Sequence, residues 1–196
     1  YDGSRKAGTV GIPLPGIEIR IVNEEGKEVE EGQIGTIELK GENIFKGYWG
    51  MEEKTKESFK DDGFFITGDL AKKDENGYFT IVGRDKDMII SGGLNVYPKE
   101  IEDVINEVPN ITESAVFGVQ HDDFGEAVVA AVVTTDDKND GSQILDYTKD
   151  KIAKYKQPKK IIFMSNLPRN SMGKVQKNKL RENNKSLFKS LLLSSC

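Results

Sequence analysis

The stretch Gly83-Arg84-Asp85-Lys86-Asp87-Met88-Ile89-Ile90-Ser91-Gly92-Gly93-Leu94-Asn95-Val96-Tyr97 marks a change of period in the sequence. Before it, from Gly11 to about Gly83, apolar and polar residues alternate, as in Ile17-Glu18-Ile19-Arg20-Ile21 and Ile34-Gly35-Thr36-Ile37-Glu38-Leu39. Period 2 is the signature of strands with one buried face. The punctuation is turn chemistry: Asn23 to Gly26, Glu31-Gly32, and Asp74-Glu75-Asn76-Gly77 between Phe64-Phe65-Ile66 and Tyr78 to Val82. This half predicts a small antiparallel sheet or distorted barrel. One or two helical turns interrupt it in the charged segment 51–59.

After the stretch, Pro98 opens a run with Ile101, Val104, Ile105 and Val108 at the i, i+3, i+4, i+7 spacing of an amphipathic helix over 98–108. Two strands follow, 113–119 and 127–134, the second apolar enough to be buried on both faces. Residues 136–141 read as a loop. Ser142 is a candidate N-cap for a helix carrying Ile144, Leu145, Ile152 and Tyr155, with Pro158 beyond its end. A last strand, 160–164, leads through the Leu167 to Gly173 loop into a short basic helix near Val175 to Arg181. The fold class is therefore α+β: a small antiparallel β subdomain followed by a compact α+β domain. The tail from Asn183 to Cys196 has no caps and reads either as an end helix or as a frayed extension.

Composition narrows the function classes. The 196 residues are 36% hydrophobic and 31% charged, enough apolar material for a packed core. With 28 Lys+Arg against 33 Asp+Glu the formal net charge is -5, so no overall basic bias points to nucleic acid. In the basic stretch from Lys149 to Lys189 the aromatics Tyr155, Phe163 and Phe188 are too sparse for nucleic-acid stacking, and Tyr155 and Phe163 are expected in the core. The one cysteine, Cys196, excludes an internal disulfide and a cysteine metal cluster. No apolar run approaches the roughly 20 residues that span a bilayer, and the expected location is the cytoplasm or an organelle matrix. The sequence begins with Tyr, and a preceding N-terminal half is expected. His121 is expected as a solvated loop residue, with no metal set around it.

Three clusters carry chemistry, each expected at an exposing turn. In Thr67-Gly68-Asp69 an ionised carboxylate offers two acceptors for vicinal ribose hydroxyls, and Gly68 permits close backbone approach. In the string from Gly83 to Tyr97, Arg84 supplies a fixed cation with several donors, and Gly92-Gly93 leave bare backbone for a thin ligand. In Leu167-Pro168-Arg169-Asn170-Ser171-Met172-Gly173-Lys174-Val175-Gln176-Lys177, Lys174 is a compact charge on a long stem beside a glycine. This is not a Walker A loop, because Val175 follows the Gly-Lys pair and Pro168 stands where a glycine is required. Read singly, the first is better explained as a turn pair and the residues of the second as a charged hairpin, and only the third suits a solvated basic face equally well.

Together and in this order, the three strings resemble the motifs of the adenylate-forming (AMP-binding) superfamily of acyl-CoA synthetases, luciferases and peptide-synthetase adenylation domains, over residues 1–182. Tyr1 to Gly11 with Pro13-Leu14-Pro15-Gly16, and Arg169 to Asn178, are most similar to malonyl-CoA synthetases. The resemblance implies the C-terminal fragment of a larger two-domain enzyme. Residues 1–84 would be the β subdomain of the large domain, 85–87 a hinge, 88–184 the small C-terminal domain and 185–196 a tail. The implied substrates are a small carboxylic acid such as malonate or methylmalonate, ATP with Mg²⁺, and CoA. By motif position Asp69 and Arg84 would bind the nucleotide and Lys86 would sit at the hinge. Gly92 and Gly93 would line the CoA channel, and Lys174 would be catalytic in adenylation. The family's phosphate loop and aromatic-Gly-x-Thr-Glu segment would precede Tyr1, so the fragment alone is expected to be inactive. The alternatives are a fatty-acid or other acyl-CoA ligase, and a non-catalytic CoA- or nucleotide-binding module.

Overall fold

Alternation in the first half folds as an antiparallel meander. The computed structural model describes residues 5–136 and 140–189, and the chain divides into two compact units, Tyr1–Lys86 and Asp87–Cys196. In the first, β1 (Ile17–Val22), β2 (Gly35–Gly41), β3 (Phe65–Lys73) and β4 (Phe79–Arg84) form one sheet in the order β1-β2-β3-β4. Ile21 opposes Ile37 and Ile19 opposes Leu39, and their face packs with Ala71 and Phe79 into a core. The other face carries the cross-strand pair Arg20 and Glu38. Glu38 is buried, its Oε2 accepting from Arg20 Nε at 2.6 Å, while Arg20 also reaches Asp62 and lies over the Phe64 ring. A buried carboxylate is tolerable only with such a partner. The helix α1 (Glu52–Ser58) has no buried residue.

The second unit is a sheet covered on both faces. A hairpin of β5 (Ile89–Ser91) and β6 (Leu94–Val96) precedes α2 (Pro98–Ile105), then β7 (Ile111–His121) and β8 (Gly125–Thr134) pair antiparallel. Next come α3 (Ser142–Lys149), β9 (Lys160–Phe163) parallel to β8, and α4 (Lys177–Asn183). Because β7 occupies one edge of β8, β5 and β9 share the other, at Gly125 and at Val129 to Val132 respectively. Val116, Val128, Ala130 and Val132 pack with Ile101, Ile105 and Ile144 of α2 and α3. The alternate residues Ala115, Phe117, Val119, Val129 and Ala131 pack with Leu167 and with Leu180 of α4. Burial on both faces explains the unbroken apolar run of β8, where each valine contributes roughly 1.5 kcal/mol.

Several expectations are corrected. The first helix ends at Ile105, although Val108 beyond it stays buried through a turn bonding its N–H to the Ile105 carbonyl. The helix from Ser142 stops at Lys149, and a separate 3-10 turn spans Lys154–Lys156. Its N-cap is Gly141 rather than Ser142, with Asp140 Oδ1 accepting from both the N–H and the hydroxyl of Ser142. Tyr155 and Phe163 are not core but 37% exposed each, since one sits in that 3-10 turn and the other ends the short strand β9. His121 closes β7 rather than lying in a loop, its ring against Phe124 and Phe188. The segment after α4 packs Leu187 and Phe188 onto the second core. Residues 137–139 of the expected loop and 190–196 of the tail lie outside the described residues.

Candidate functional site

Thr67, Gly68 and Asp69 lie inside β3, not at a turn after it. Thr36 pairs with Leu70 and Glu38 with Ile66, so three residues of β3 stand opposite the single Ile37. The bulge is built by its own side chains. Thr67 Oγ1 donates to the Ile37 carbonyl at 2.8 Å and accepts from the Asp69 N–H at 3.0 Å. Gly68 takes φ +70°, which an L side chain adopts only with strain. Bulges re-aim side chains, and this one sets Asp69 directly opposite Arg84 of β4.

Asp69 Oδ1 is 2.7 Å from Arg84 Nε. Among the described residues no other side chain engages the remaining carboxylate oxygen or the two terminal guanidinium nitrogens. An open acceptor therefore sits beside two open donors on a half-exposed surface. That combination suits a ligand carrying hydroxyls and an anion on adjacent atoms.

Lys86 is exposed within the 3-10 turn Asp85–Asp87 and is the last residue of the first unit. The next residue, Asp87, accepts from Arg181 of α4 at 2.9 Å, so the second unit is tied down from its first position. Gly92 and Gly93 make the two-residue turn of the β5–β6 hairpin, with φ +60° and +78°. Positive φ at both positions is the turn that matches strand twist. No heavy atom lies within 4 Å of where a Cβ would stand at either glycine, and the Gly92 N–H donates to the Phe124 carbonyl at 2.8 Å.

Lys174 is exposed between β9 and α4, and among the described residues its ammonium has no carboxylate within ion-pair distance. Its backbone is held from both sides: its N–H donates to Asn170 Oδ1 at 2.9 Å and its carbonyl accepts from the Asn170 N–H at 3.0 Å. The sequence reading missed Asn170 as the residue that shapes this turn. The signal is in the sequence, because Asn23-Glu24-Glu25-Gly26, which predicts a turn, has the same Asn-x-x-Gly pattern as Asn170 to Gly173. Within the basic stretch, lysines 149, 151, 156, 177 and 185 pair with Asp146, Glu107, Glu100, Glu102 and Glu182. Glu107, Glu100 and Glu102 come from elsewhere in the chain, whereas Asp146 and Glu182 each lie three residues from the lysine they pair with.

Among the described residues no three His, Cys, Asp or Glu side chains are grouped to hold a metal ion. Among them no helix is long and apolar enough to cross a membrane.

The AMP-binding enzyme C-terminal domain family matches residues 100–174, and the AMP-binding enzyme family matches residues 1–49. This chain belongs to the AMP-binding enzyme family. Among curated members it is 41% identical to the indoleacetate–CoA ligase of Aromatoleum aromaticum over 182 residues, covering 92% of this chain and 36% of that protein. It is 40% identical to the malonate–CoA ligase of Arabidopsis thaliana over 192 residues, covering 92% of this chain and 31% of that protein. The crystal structure of ATP-bound MatB from Rhodopseudomonas palustris matches with a TM-score of 0.90 and 56% identity, over 96% of this chain and 38% of that one. The chain spans about a third of the length of the curated relatives it matches.

Proposed function

We propose that the chain is the C-terminal part of an ATP-dependent acyl-CoA synthetase acting on malonate or methylmalonate. A carboxylate oxygen of the acid attacks the α-phosphorus of Mg-ATP, and pyrophosphate leaves, giving an acyl-adenylate. The sulfur of CoA then attacks the acyl carbon, AMP leaves, and the thiol proton passes to solvent. Lys174 is the cation placed between the acid and the α-phosphate while charge develops on the phosphate oxygens, where a fixed charge is worth most. Asp69 accepts from the ribose hydroxyls, and Arg84 holds Asp69 while its free nitrogens face the nucleotide. Lys86 lies at the hinge between the domains, where a few residues absorb a backbone change between the two steps. The bare Gly92-Gly93 turn lines the path of the pantetheine arm. Mg²⁺ enters with ATP.

The observation that carries this reading is Lys174, an exposed ammonium with no acidic partner among the described residues, whose own N–H and carbonyl are both bonded to Asn170. The malonate assignment is supported by the likeness of Tyr1 to Gly16 and Arg169 to Asn178 to malonyl-CoA synthetases, and by a malonate–CoA ligase among the relatives. Thioester formation by the full-length protein, with ATP, Mg²⁺, CoA and a panel of malonate, methylmalonate, acetate and a medium-chain fatty acid, tests the acid. Preferred turnover of the dicarboxylates supports it, and turnover of monocarboxylates alone overturns it. Lys174→Ala should abolish adenylation and largely spare thioester formation from preformed acyl-adenylate. Equal loss of both half-reactions would remove Lys174 from its assigned role.

A further inference from the structure

Three turns in this chain share one construction. At Asn23, Asp74 and Asn170 a side-chain oxygen accepts from the backbone N–H groups two and four residues on. In each, a glycine in the left-handed region, Gly26, Gly77 or Gly173, donates its N–H to the carbonyl of that Asn or Asp at 2.9 Å. Such a turn is self-sufficient, because its own side chain satisfies the donors that the reversal exposes. The first two join strands and carry no assigned chemistry. Among the described residues, neither the Gly26 nor the Gly77 carbonyl accepts from a side chain.

The turn bearing Lys174 is different. Arg169 Nη1 donates to the Gly173 carbonyl at 2.7 Å, and Arg169 Nη2 donates to Glu113 Oε2. Glu113 lies on β7, on the same face as Ala115, Phe117 and Val119, which pack beneath α4. The Gly173 carbonyl belongs to the peptide group whose nitrogen is that of Lys174. Fixing this plane fixes the direction in which the lysine leaves the backbone. Downstream, Lys177 pairs with Glu102 Oε1 at 2.6 Å, with side chains only 17% and 14% exposed. The same Glu102 oxygen accepts from the Val116 N–H on the free edge of β7 at 2.7 Å. A turn that needs no outside support is therefore tied to one strand ahead of Lys174 and, through α2, behind it.

We propose that Arg169 and Glu113 are positioning residues for Lys174, holding its turn at the height and angle that adenylation requires. This deepens the reading of Lys174 as the adenylation lysine and rests on it. The guanidinium suits the task because its fork donates in two directions at once, to a carbonyl and to a carboxylate, which a lysine ammonium on a flexible stem does not do with fixed geometry. A displacement of about 1 Å at a reacting group lowers rate by about 100-fold, so losing the brace acts on the step that uses Lys174 and on no other.

The experiment measures both half-reactions in the full-length protein for Glu113→Ala, Arg169→Ala, the double variant, Arg169→Lys and Lys174→Ala, with thermal midpoints for each. Glu113→Ala and Arg169→Ala should each lower adenylation kcat by about 10- to 100-fold, with thioester formation from preformed acyl-adenylate within about twofold of the parent. The double variant should lose no more than the worse single, as expected for groups acting as one unit. Arg169→Lys should restore the thermal midpoint without restoring adenylation. Equal losses in the two half-reactions, or adenylation unchanged while Lys174→Ala abolishes it, would overturn the brace. Adenylation intact in Lys174→Ala would overturn the underlying role of the lysine, and the brace with it.

Discussion

Replacing Gly93 separates two properties of the turn between β5 and β6, its backbone shape and its bareness. The φ of +78° follows +60° at Gly92, and a Cβ at either position would meet no heavy atom within 4 Å. Within the second unit the penalty of Gly93→Ala is therefore conformational alone, about 1 kcal/mol for an L-residue held left-handed. Asn tolerates that region better, so Gly93→Asn should be the more stable variant although its side chain is larger. If the turn lines the pantetheine path, the added atoms occupy space the ligand needs. Overpacking of about 1–3 kcal/mol corresponds to a rise of about 5- to 150-fold in KM for CoA. Thioester formation against CoA concentration, with pyrophosphate release followed separately, reads the two effects apart in the full-length protein. Gly93→Asn should raise KM for CoA more than Gly93→Ala, leave pyrophosphate release nearly unchanged, and show the higher thermal midpoint of the two. A CoA KM that tracks lost stability rather than side-chain size would refute the reasoning.

Other perturbations test the scaffold. Glu38→Ala strands Arg20 beside Phe64 with Asp62 as its remaining acid, and should cost about 2–3 kcal/mol in urea unfolding, below the usual range for a broken buried pair because Arg20 is 20% exposed and keeps one partner. Leu180→Ala empties a site 1% exposed under α4; about 3 kcal/mol of lost stability is expected, and a loss below about 1 kcal/mol would mean that α4 is not held by this contact. The hydrogen bond from Arg20, aided by the Phe64 N–H, holds the Asp62 carboxyl below its ordinary range. A depressed carboxyl stabilises the fold fully above its unfolded pKa, about 4, and loses that contribution as pH falls through the lower folded value. Asp62→Asn should therefore flatten the acid limb of a urea-midpoint series below about pH 4 and leave its slope above pH 5 unchanged.

The sheet strands were legible because burial imposes period 2 on them: Ile19 and Ile21 face Leu39 and Ile37 as the alternation requires. The strand β8 was legible for the opposite reason, since two covered faces leave no place for alternation. The limits of α3 were not, because Ile152 and Tyr155 continue the helical spacing of Ile144 while the backbone turns away after Lys149. Periodicity reports which residues could share a face, not where the hydrogen bonds stop. Phe163 was misplaced in the core on composition, although the end of a short strand leaves it half open. Candidate site residues were legible as types at a spacing, but Arg169 and Glu113 left no signal, because their meeting depends on the pairing of β7 and on a loop 56 positions away.

The bulge in β3 shows how a candidate residue read as part of a turn can stand inside a sheet. Read as a string, Thr67-Gly68-Asp69 is a turn, and a turn would leave Asp69 to follow a mobile loop. In the sheet, β2 stays in register on both sides of the interruption, at Thr36 and at Glu38, and the hydroxyl of Thr67 closes the gap by bonding the Ile37 carbonyl and the Asp69 N–H. Asp69 is then fixed by two neighbouring strands at once, and its carboxylate meets Arg84 because the next register shift, between Leu70 and Ala71, brings β4 to it. Local turn chemistry and sheet pairing conflict here, and such conflicts persist where a backbone position is needed more than regularity is. Gly92-Gly93 and Gly173 likewise hold left-handed backbone, at the two candidate turns. In this chain the candidate chemistry stands where the backbone departs from the period that built the fold.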